Sequence, residues 1–592
     1  MSSKLPHHEA TAASDRVRAD LLLLHAPSVF DFRERDDVLF AFLSDSDSVN
    51  ITSVYEMYPL GFFSLCQSLR AQGHSAEIVN VASLMLLHWN LDVARLIARL
   101  EAPVFGFDLH WMAQCHGAVE LARLVREIHP EATIIFGGIS ATYYAEQLMA
   151  YPWIDVVVQG YDTLVPVERL VASVKSGERD FAKIPNLLYR GPEGTIERTG
   201  FVHKPMARYN DAAVDWSFYR EVPTSLGTGK LIMTLPNTGC AYDCPWCGGS
   251  RTAYRNIMGV RKTLIRKDIE LVTQELRSLG DAADKTAIYA LQCYSEGNSR
   301  MSTYLDVVAE MGYRQVYFEQ FHLPSDEILT KMARSTDAFI MLSPESHDPV
   351  ISKLAGRGTY TMDELERWIP RALGAGISGI MVWFFIGMPR QDPASIAATV
   401  DYCARLLERF PGGRVLPLLC PMVPFLDPGS EFFERPDAHG YRIFHRTLEE
   451  HRQAMVEPLW HHRLNYETRW LSREQLQEVT YDSTARLVQL KFDAGVLPRG
   501  ITRAILDNID QTRAMLARMA RAIALDGELP PSLRSEIAAY NRASLAFSSD
   551  QIIPLPRPLG GRWFDDFTVP DSIIAACMDA AEPAAEPAAP PR

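Results

Sequence analysis

Residues 231–247, Leu231-Ile-Met-Thr-Leu-Pro-Asn-Thr-Gly-Cys240-Ala-Tyr-Asp-Cys244-Pro-Trp-Cys247, decide how this chain is read. The stretch opens with an apolar run, 231–235, of the kind that forms a buried parallel strand. Three cysteines follow, at spacings of four and three. Three thiolates on one loop can converge on a single iron–sulfur cluster, for which thiolates are the usual ligands. A four-iron cluster held by three protein ligands keeps one iron open to a substrate or cofactor. A zinc site is the alternative. It asks for a fourth Cys or His, typically in a second pair, and the nearest downstream cysteine is Cys293, with no CxxC partner. Gly248-Gly249 after the motif reads as a tight turn rather than a phosphate loop.

Downstream of this loop, strands expected at 286–292, 315–319, 338–343, 379–385 and 414–420 alternate with helices, and Thr361 with Glu364 forms a capping-box pattern. Six strand–helix units suggest a partial or open barrel over 229–425, with its active site at the strand C-terminal ends. Upstream, the run 19–26 (ADLLLLHA) begins a second alternating series. Its strands are expected at 76–81, 104–108, 133–136 and 155–159, and its helices at 60–72, 91–100, 118–128 and 164–176. This is a doubly wound α/β domain over 19–176, whose ligands sit beyond the strand C-terminal ends. Residues 177–228, rich in Gly, Pro and charge, read as a linker with a small hairpin. From 426 to 579 the pattern changes to amphipathic helices at 448–456, 473–492, 503–525 and 531–546. Residues 1–18 and the Pro/Ala tail 580–592 (AAEPAAEPAAPPR) are expected to be disordered.

Composition narrows the class. At about 150 residues per domain, 592 residues make roughly four domain-sized units or fewer large ones. With 47% hydrophobic and 22% charged residues the chain is an ordinary globular one, not collagen-like or coiled-coil. Its 59 basic and 73 acidic residues leave −14, which speaks against binding nucleic acid or an anionic membrane. Nine cysteines are too sparse, and odd in number, for a disulfide scaffold. The polar stretch 1–18 lacks the apolar run of a signal peptide. Residues 372–389 carry no Asp, Glu, Lys or Arg and nearly reach spanning length, but four glycines break them into a helix end, a turn and a buried strand. A cytoplasmic location is expected. Cys66, Cys115, Cys403 and Cys577 fall in apolar helical contexts and are read as buried free thiols.

The motif CxxxCxΦC after the first strand of a six-unit series resembles the radical SAM superfamily. The resemblance implies that Cys240, Cys244 and Cys247 bind a 4Fe-4S cluster whose open iron chelates S-adenosyl-L-methionine, which is cleaved to a 5′-deoxyadenosyl radical. It places Trp246 beside SAM. It also likens Pro344-Glu345-Ser346 to the ribose-contact region and Ile386-Gly387-Met388-Pro389 to the segment packing on adenine. The family's Gly-Gly-Glu is replaced by Tyr294-Ser295-Glu296-Gly297, so Glu296 stands where the SAM amino group would be met. Glu319 and Tyr294 are the candidates for substrate chemistry, or else pack the mouth of the barrel. Pro424-Phe-Leu-Asp-Pro-Gly429 is placed to close the cavity. Trp460-His-His-Arg463-Leu-Asn-Tyr466 shapes either a substrate pocket or a helix–helix contact.

Residues 19–176 resemble the cobalamin-binding domain that precedes the barrel in many radical SAM enzymes. The resembling pieces are LLLLHAPS, Tyr58-Pro-Leu-Gly-Phe, Gly73-His74, Val104-Phe-Gly-Phe-Asp-Leu-His-Trp111, Phe136-Gly-Gly138 and Asp155-Val-Val-Val-Gln-Gly160. The resemblance implies cobalamin contacts at Asp108, His110, Gly137, Gly138 and Gly160. Asp108-Leu-His110 nearly spells DxHxxG, the motif that gives cobalt a histidine elsewhere, but it follows the third strand instead of the first. Cobalamin bound without a histidine ligand from this motif is therefore expected. No GxGxxG follows the first strand, which speaks against a dinucleotide. Together these resemblances imply an enzyme with 4Fe-4S, SAM and cobalamin that methylates an unactivated carbon of a small-molecule or natural-product substrate through methylcobalamin. A flavodoxin- or ferredoxin-type electron donor would serve it. Ring formation or rearrangement without methyl transfer, and a cofactor-binding sensor, are the alternatives.

Overall fold

The computed structural model describes residues 15–40, 53–57, 59–160, 163–200, 214–216, 230–260, 263–280, 283, 286–293, 296–422, 425–545 and 569–578. Tyr294, Pro424 and the tail 580–592 lie outside them.

The amino-terminal unit begins with β1 (Val17–Arg18) and β2 (Leu21–His25), followed by α1 (Gly61–Ala71), β3 (Ala76–Asn80), β4 (Leu100–Glu101) and β5 (Val104–Asp108). Next come α2 (Cys115–Ile128), β6 (Thr133–Gly137), β7 (Val156–Val158), α3 (Leu164–Ser176), β8 (Leu187–Arg190) and β9 (Ile196–Arg198). The sheet order is β3-β2-β5-β6-β7-β8-β9, parallel through β7 and antiparallel at the last two pairs. The continuous apolar runs of β2 and β5 are buried along their whole length because helices cover both faces. The hairpin expected in the linker is present and extends this sheet. Within the stretch 1–18 expected to be disordered, Val17–Arg18 instead form β1, paired with β4; residues 1–14 lie outside the described residues.

The second unit runs β10 (Lys230–Thr234), β11 (Asn237–Gly239), α4 (Arg251–Met258), β12 (Leu264–Arg266), α5 (Ile269–Ser278), β13 (Thr286–Ala290) and α6 (Asn298–Met311). It continues with β14 (Gln315–Gln320), α7 (Asp326–Ser335), β15 (Asp337–Glu345), α8 (Met362–Ala375), β16 (Gly379–Ile386), α9 (Pro393–Arg409) and β17 (Val415–Pro421). Strands β10, β13, β14, β15, β16 and β17 neighbour one another in that order, all parallel. This is the expected six-stranded partial barrel. Thr361 and Glu364 form the capping box at the start of α8. The 372–389 stretch is a helix end, a left-handed Gly376 and buried β16. Among the described residues no helix is long and apolar enough to cross a membrane.

Three features escaped the sequence reading. The β11–β12 hairpin brackets the cysteine loop. A second hairpin, β18 (Tyr441–Ile443) with β19 (Tyr466–Thr468), packs on the end of β16. One hydrophobic core joins both sheets, running from Leu21, Leu23 and Phe63 to Ile232, Ile288 and Val316. The carboxy-terminal helices are α10 (Arg473–Asp493), α11 (Arg499–Asp526) and α12 (Pro531–Leu545). His461 of the Trp460–Arg463 turn bonds Gln477 on α10, so that patch serves the helix contact.

Helix α2 presses on the loop after β2. The Gly117 amide donates to Ser28 O at 3.1 Å, and a Cβ on Gly117 would run into Pro27 O. Helix propensity favours Ala over Gly by about 1 kcal/mol, yet overpacking against backbone costs about 1–3 kcal/mol or more. Gly117→Ala is therefore expected to lower the unfolding midpoint in urea; an unchanged or raised midpoint would refute the contact.

Candidate active site

The C-terminal ends of both sheets open onto one cavity of about 720 Å³. Of the residues singled out from the sequence, Cys240, Cys244, Cys247, Trp246, Glu319, Glu345, Asp108, His110, Gly137, Gly138 and Gly160 line it. Glu296, Ser346 and Gly387 do not. The buried Glu296 turns to Arg300 and lies 3.9 Å from Arg266. Ser346 is buried and its hydroxyl caps the Asp348 amide. Gly387, at φ +101°, is a turn whose open side is filled by Tyr466, while its carbonyl accepts from Tyr441. The glycine is required there by the β18–β19 hairpin.

On the barrel side, the cysteine loop leaves β11 and ends at α4, which Ser250 caps through the Ala253 amide. Local bonds shape it: the Tyr242 and Gly249 amides approach Cys240 Sγ and Cys247 Sγ at 3.3 Å. Half-buried Asp427 accepts from the Gly248 amide at 2.9 Å, so the segment after β17 pins the loop. Burial pushes the Cys244 thiol up to about 11 against the pull of Arg357, and pushes Cys247 well above its ordinary value. These thiols stay protonated until something displaces their protons, as metal binding does. All three are free thiols. Among the described residues, no three Cys, His, Asp or Glu side chains gather about one point as a single metal ion requires.

The barrel wall around the loop is polar at few points. Glu319, at the end of β14, accepts from the Gln292 amide at 2.7 Å, and burial raises its pKa. Glu345 ends β15 at a bulge with φ +65°, and Gln292 follows β13 with φ +54°. Left-handed non-glycine residues cluster at functional positions. Burial raises Glu345 to about 7 although Arg357 stands 2.9 Å away. The Trp246 indole N–H and Gln292 Oε1 are buried at the cavity with no hydrogen-bond partner, open to a bound polar group. Lys267 and Glu275, both buried, form an ion pair on the same wall. Arg357, Gln292, Lys267 and Glu275 were not found from the sequence, because nothing local marks them.

On the amino-terminal side the cavity floor lies where strand order reverses, between β2 and β5, the usual ligand position in such sheets. Asp108 ends β5, but its carboxylate is taken by His25 at the end of β2, Nδ1 at 2.9 Å, and not by His110. His25 Nε2 donates to Tyr55 O at 2.9 Å. Burial works against the charged ring, and the Asp108 carboxylate overcomes it, so the His25 pKa is raised. Both ring nitrogens are engaged by protein oxygens, Asp108 on one side and Tyr55 O on the other, so His25 is not directed at a metal. His110 faces the cavity, held neutral by burial that lowers it to about 4. A Cβ on Gly137 would stand in open space, its nearest neighbour 3.9 Å away, whereas one on Gly138 (φ +123°) would meet Leu109 O at 2.6 Å. A glycine floor of this kind admits a bulky group close to backbone. Trp111, 40% exposed, reaches from this side toward Gly249 beside the cysteine loop.

A doubly wound sheet and a six-stranded parallel partial barrel share one cavity, a fold that solved proteins share. Residues 47–169 match the B12 binding domain family. TsrM from Kitasatospora setae, a radical S-adenosylmethionine methyltransferase solved with cobalamin and a 4Fe-4S cluster, superposes with TM-score 0.51 at 17% identity, over 80% of this chain and 89% of that one. The cobalamin-dependent S-adenosylmethionine radical enzyme OxsB, solved with aqua-cobalamin, superposes with TM-score 0.51 at 11% identity, over 90% and 78%. The hopanoid C-3 methylase of Methylococcus capsulatus is 24% identical over 193 residues, 32% of this chain; the match spans about a third of that protein's length, 35%.

The His25–Asp108 pair has a thermodynamic signature. A raised folded-state pKa means the folded chain holds the proton more tightly, so this pair stabilises at low pH and its contribution fades as pH rises through the folded pKa. As pH rises from below the ordinary histidine value through the raised folded one, the wild type should lose unfolding free energy relative to His25→Asn; parallel profiles would show that the ring carries no extra proton.

Proposed function

We propose that this protein is a cobalamin-dependent radical SAM enzyme that methylates an unactivated carbon of a small-molecule substrate. The observation that carries the reading is the shared cavity: the three-thiol loop and the glycine floor of the B12-type sheet face each other across it. Cys240, Cys244 and Cys247 would hold the cluster, whose chemistry when loaded with SAM and cobalamin is one-electron SAM cleavage and methyl donation. The chain's own residues orient and insulate. Trp246 and Phe385, rings 5.7 Å apart, wall the barrel side. Glu319 and the Trp246 N–H offer an acceptor and a donor toward the SAM side, and Gly137, Gly138 and Gly160 let a corrin and its nucleotide tail lie against backbone. His110 and Trp111 line the cavity beside the glycine floor, with Trp111 reaching toward Gly249 next to the cysteine loop. Positioning of this kind, with water excluded, is the protein's part in cofactor chemistry. Ala241 is exposed at the rim of the cysteine loop, which gives a flavodoxin- or ferredoxin-type donor an approach. An oxygen-sensitive cluster suits a reducing cytoplasm.

Methyl-labelled SAM tests the outcome after anaerobic reconstitution. Label in a product supports methylation; 5′-deoxyadenosine without labelled product would replace it with ring formation or rearrangement, and neither product would indicate a sensor. Two substitutions separate the cofactors. Cys244→Ala should reduce iron and sulfide to background and abolish SAM cleavage while cobalamin stays bound. Gly137→Val should weaken cobalamin retention by about tenfold or more while iron content is unchanged. Loss of both cofactors in each variant would contradict the two-sided site.

A further inference from the structure

Arg357 lies after the fourth barrel strand, 113 residues beyond Cys244 of the motif, and is almost fully enclosed, its side chain 6% exposed. Four contacts fix its guanidinium. Nη1 donates to Cys244 Sγ at 2.5 Å, Nε donates to Ser343 O at 3.0 Å, and Nη2 stands 2.9 Å from the Glu345 carboxylate. The plane lies over the Phe321 ring, 3.8 Å from its centroid. The backbone is pressed in as well: Gly356 has φ +84°, and a Cβ there would come within 2.8 Å of Cys244 Cα. Thr359 Oγ1 donates to Phe321 O, tying the far end of the loop to the ring beneath the guanidinium.

We propose that Arg357 sets the reduction potential of the iron–sulfur group held by Cys240, Cys244 and Cys247. The inference rests on the proposed function, in that it takes those thiolates as cluster ligands. Uptake of one electron from a low-potential donor adds one negative charge to that group; no bond breaks and no proton is required. A cation hydrogen-bonded to a ligand sulfur stabilises the more negative state, and hydrogen bonds to the sulfurs are among the levers that set cluster potentials. Burial keeps water from screening the effect. The charge is graded by its surroundings. Glu345, 2.9 Å from the guanidinium, offsets part of it, and Asp427, bonded to the Gly248 amide, adds negative charge near Cys247. A planar fork is needed to reach sulfur, carbonyl and carboxylate together, which a lysine ammonium cannot do.

EPR-monitored redox titration of the reconstituted full-length protein, without SAM or substrate and at one fixed pH, tests this. Arg357→Met should lower the reduced-to-oxidised ratio at a given ambient potential tenfold or more, about 59 mV for one electron. Arg357→Lys, which keeps a charge but loses the fork, should shift less in the same sense. Phe321→Leu keeps the cation and removes the ring that holds it; a small lowering is expected, and this variant carries the test if Arg357→Met holds less iron. Equal potentials in wild type, Arg357→Lys and Phe321→Leu, or equal shifts in Arg357→Lys and Arg357→Met, would overturn the proposal and leave Arg357 a structural brace. A wild-type protein that takes up no iron would instead refute the reading of the cysteines.

Discussion

The segment that follows the barrel grips the amino-terminal unit, and the rest of the structure depends on that grip. Tyr144 donates to Arg446 O at 2.8 Å, Tyr151 to Glu449 at 2.6 Å, Tyr143 to Glu434 at 2.6 Å, and the Leu448 amide to Gln147 at 2.6 Å. Arg452 bridges Glu449 and Glu120 on α2. Individually such bonds contribute about 1 kcal/mol, and the half-exposed ion pairs less. Their effect is geometric. They hold two sheets that each end in open strand termini so that both sets of termini line one cavity. Without that alignment the cysteine loop and the glycine floor would be two unrelated sites.

Within the cavity, charge is almost entirely paired before any ligand arrives. His25 with Asp108, Lys267 with Glu275, and Arg357 with Glu345 are buried pairs, and Glu319 has the Gln292 amide. Buried ions require such partners, since desolvation otherwise exceeds what Coulomb attraction returns. The pairs also fix side chains in place, so polar recognition is left to the few unmatched atoms, Trp246 Nε1 and Gln292 Oε1 among them. Aromatic and aliphatic side chains supply most of the remaining wall. A site arranged like this holds its dipoles still before anything binds.

Contiguous features were legible in the sequence, and distant ones were not. The cysteine triplet sits in eight consecutive residues, and the alternation of strands and helices is a local pattern, so cysteine loop, sheet and barrel could all be read from it. Elements fell within a few residues of expectation: 104–108 and 164–176 match β5 and α3. Asp108-Leu-His110 shows the limit. The motif spells an aspartate supporting a histidine, yet the partner of Asp108 is His25, 83 residues earlier, brought there by the β2–β5 pairing. Glu296 likewise sits at the expected position but turns to Arg300, four residues on, because the helix start places them together. Gly387 reads as a ligand contact through the resemblance of Ile386-Gly387-Met388-Pro389 to a segment packing on adenine, while Tyr466, which fills the space beside it, is 79 residues on and unmarked in the sequence.

The carboxy-terminal helices, which carry no recognisable motif, act on the site through the loop that follows β2. Asn541 on α12 accepts from the Phe40 amide at 2.9 Å and donates to Val38 O at 2.8 Å and Arg35 O at 3.3 Å. Arg534 pairs with Asp36, and buried Arg463 donates to Leu39 O at 3.0 Å. Leu39 itself belongs to the core of the helices, not of the sheet. The same loop carries Ser28, which accepts from Gly117 on α2, and farther along it Tyr55, the carbonyl partner of His25. One loop therefore couples the helical region to the floor of the B12-type sheet at the strand-order reversal. A change in helix packing there would be transmitted by backbone hydrogen bonds rather than by side chains entering the cavity. The helical region thus bears on the site from outside, by fixing the loop that borders it.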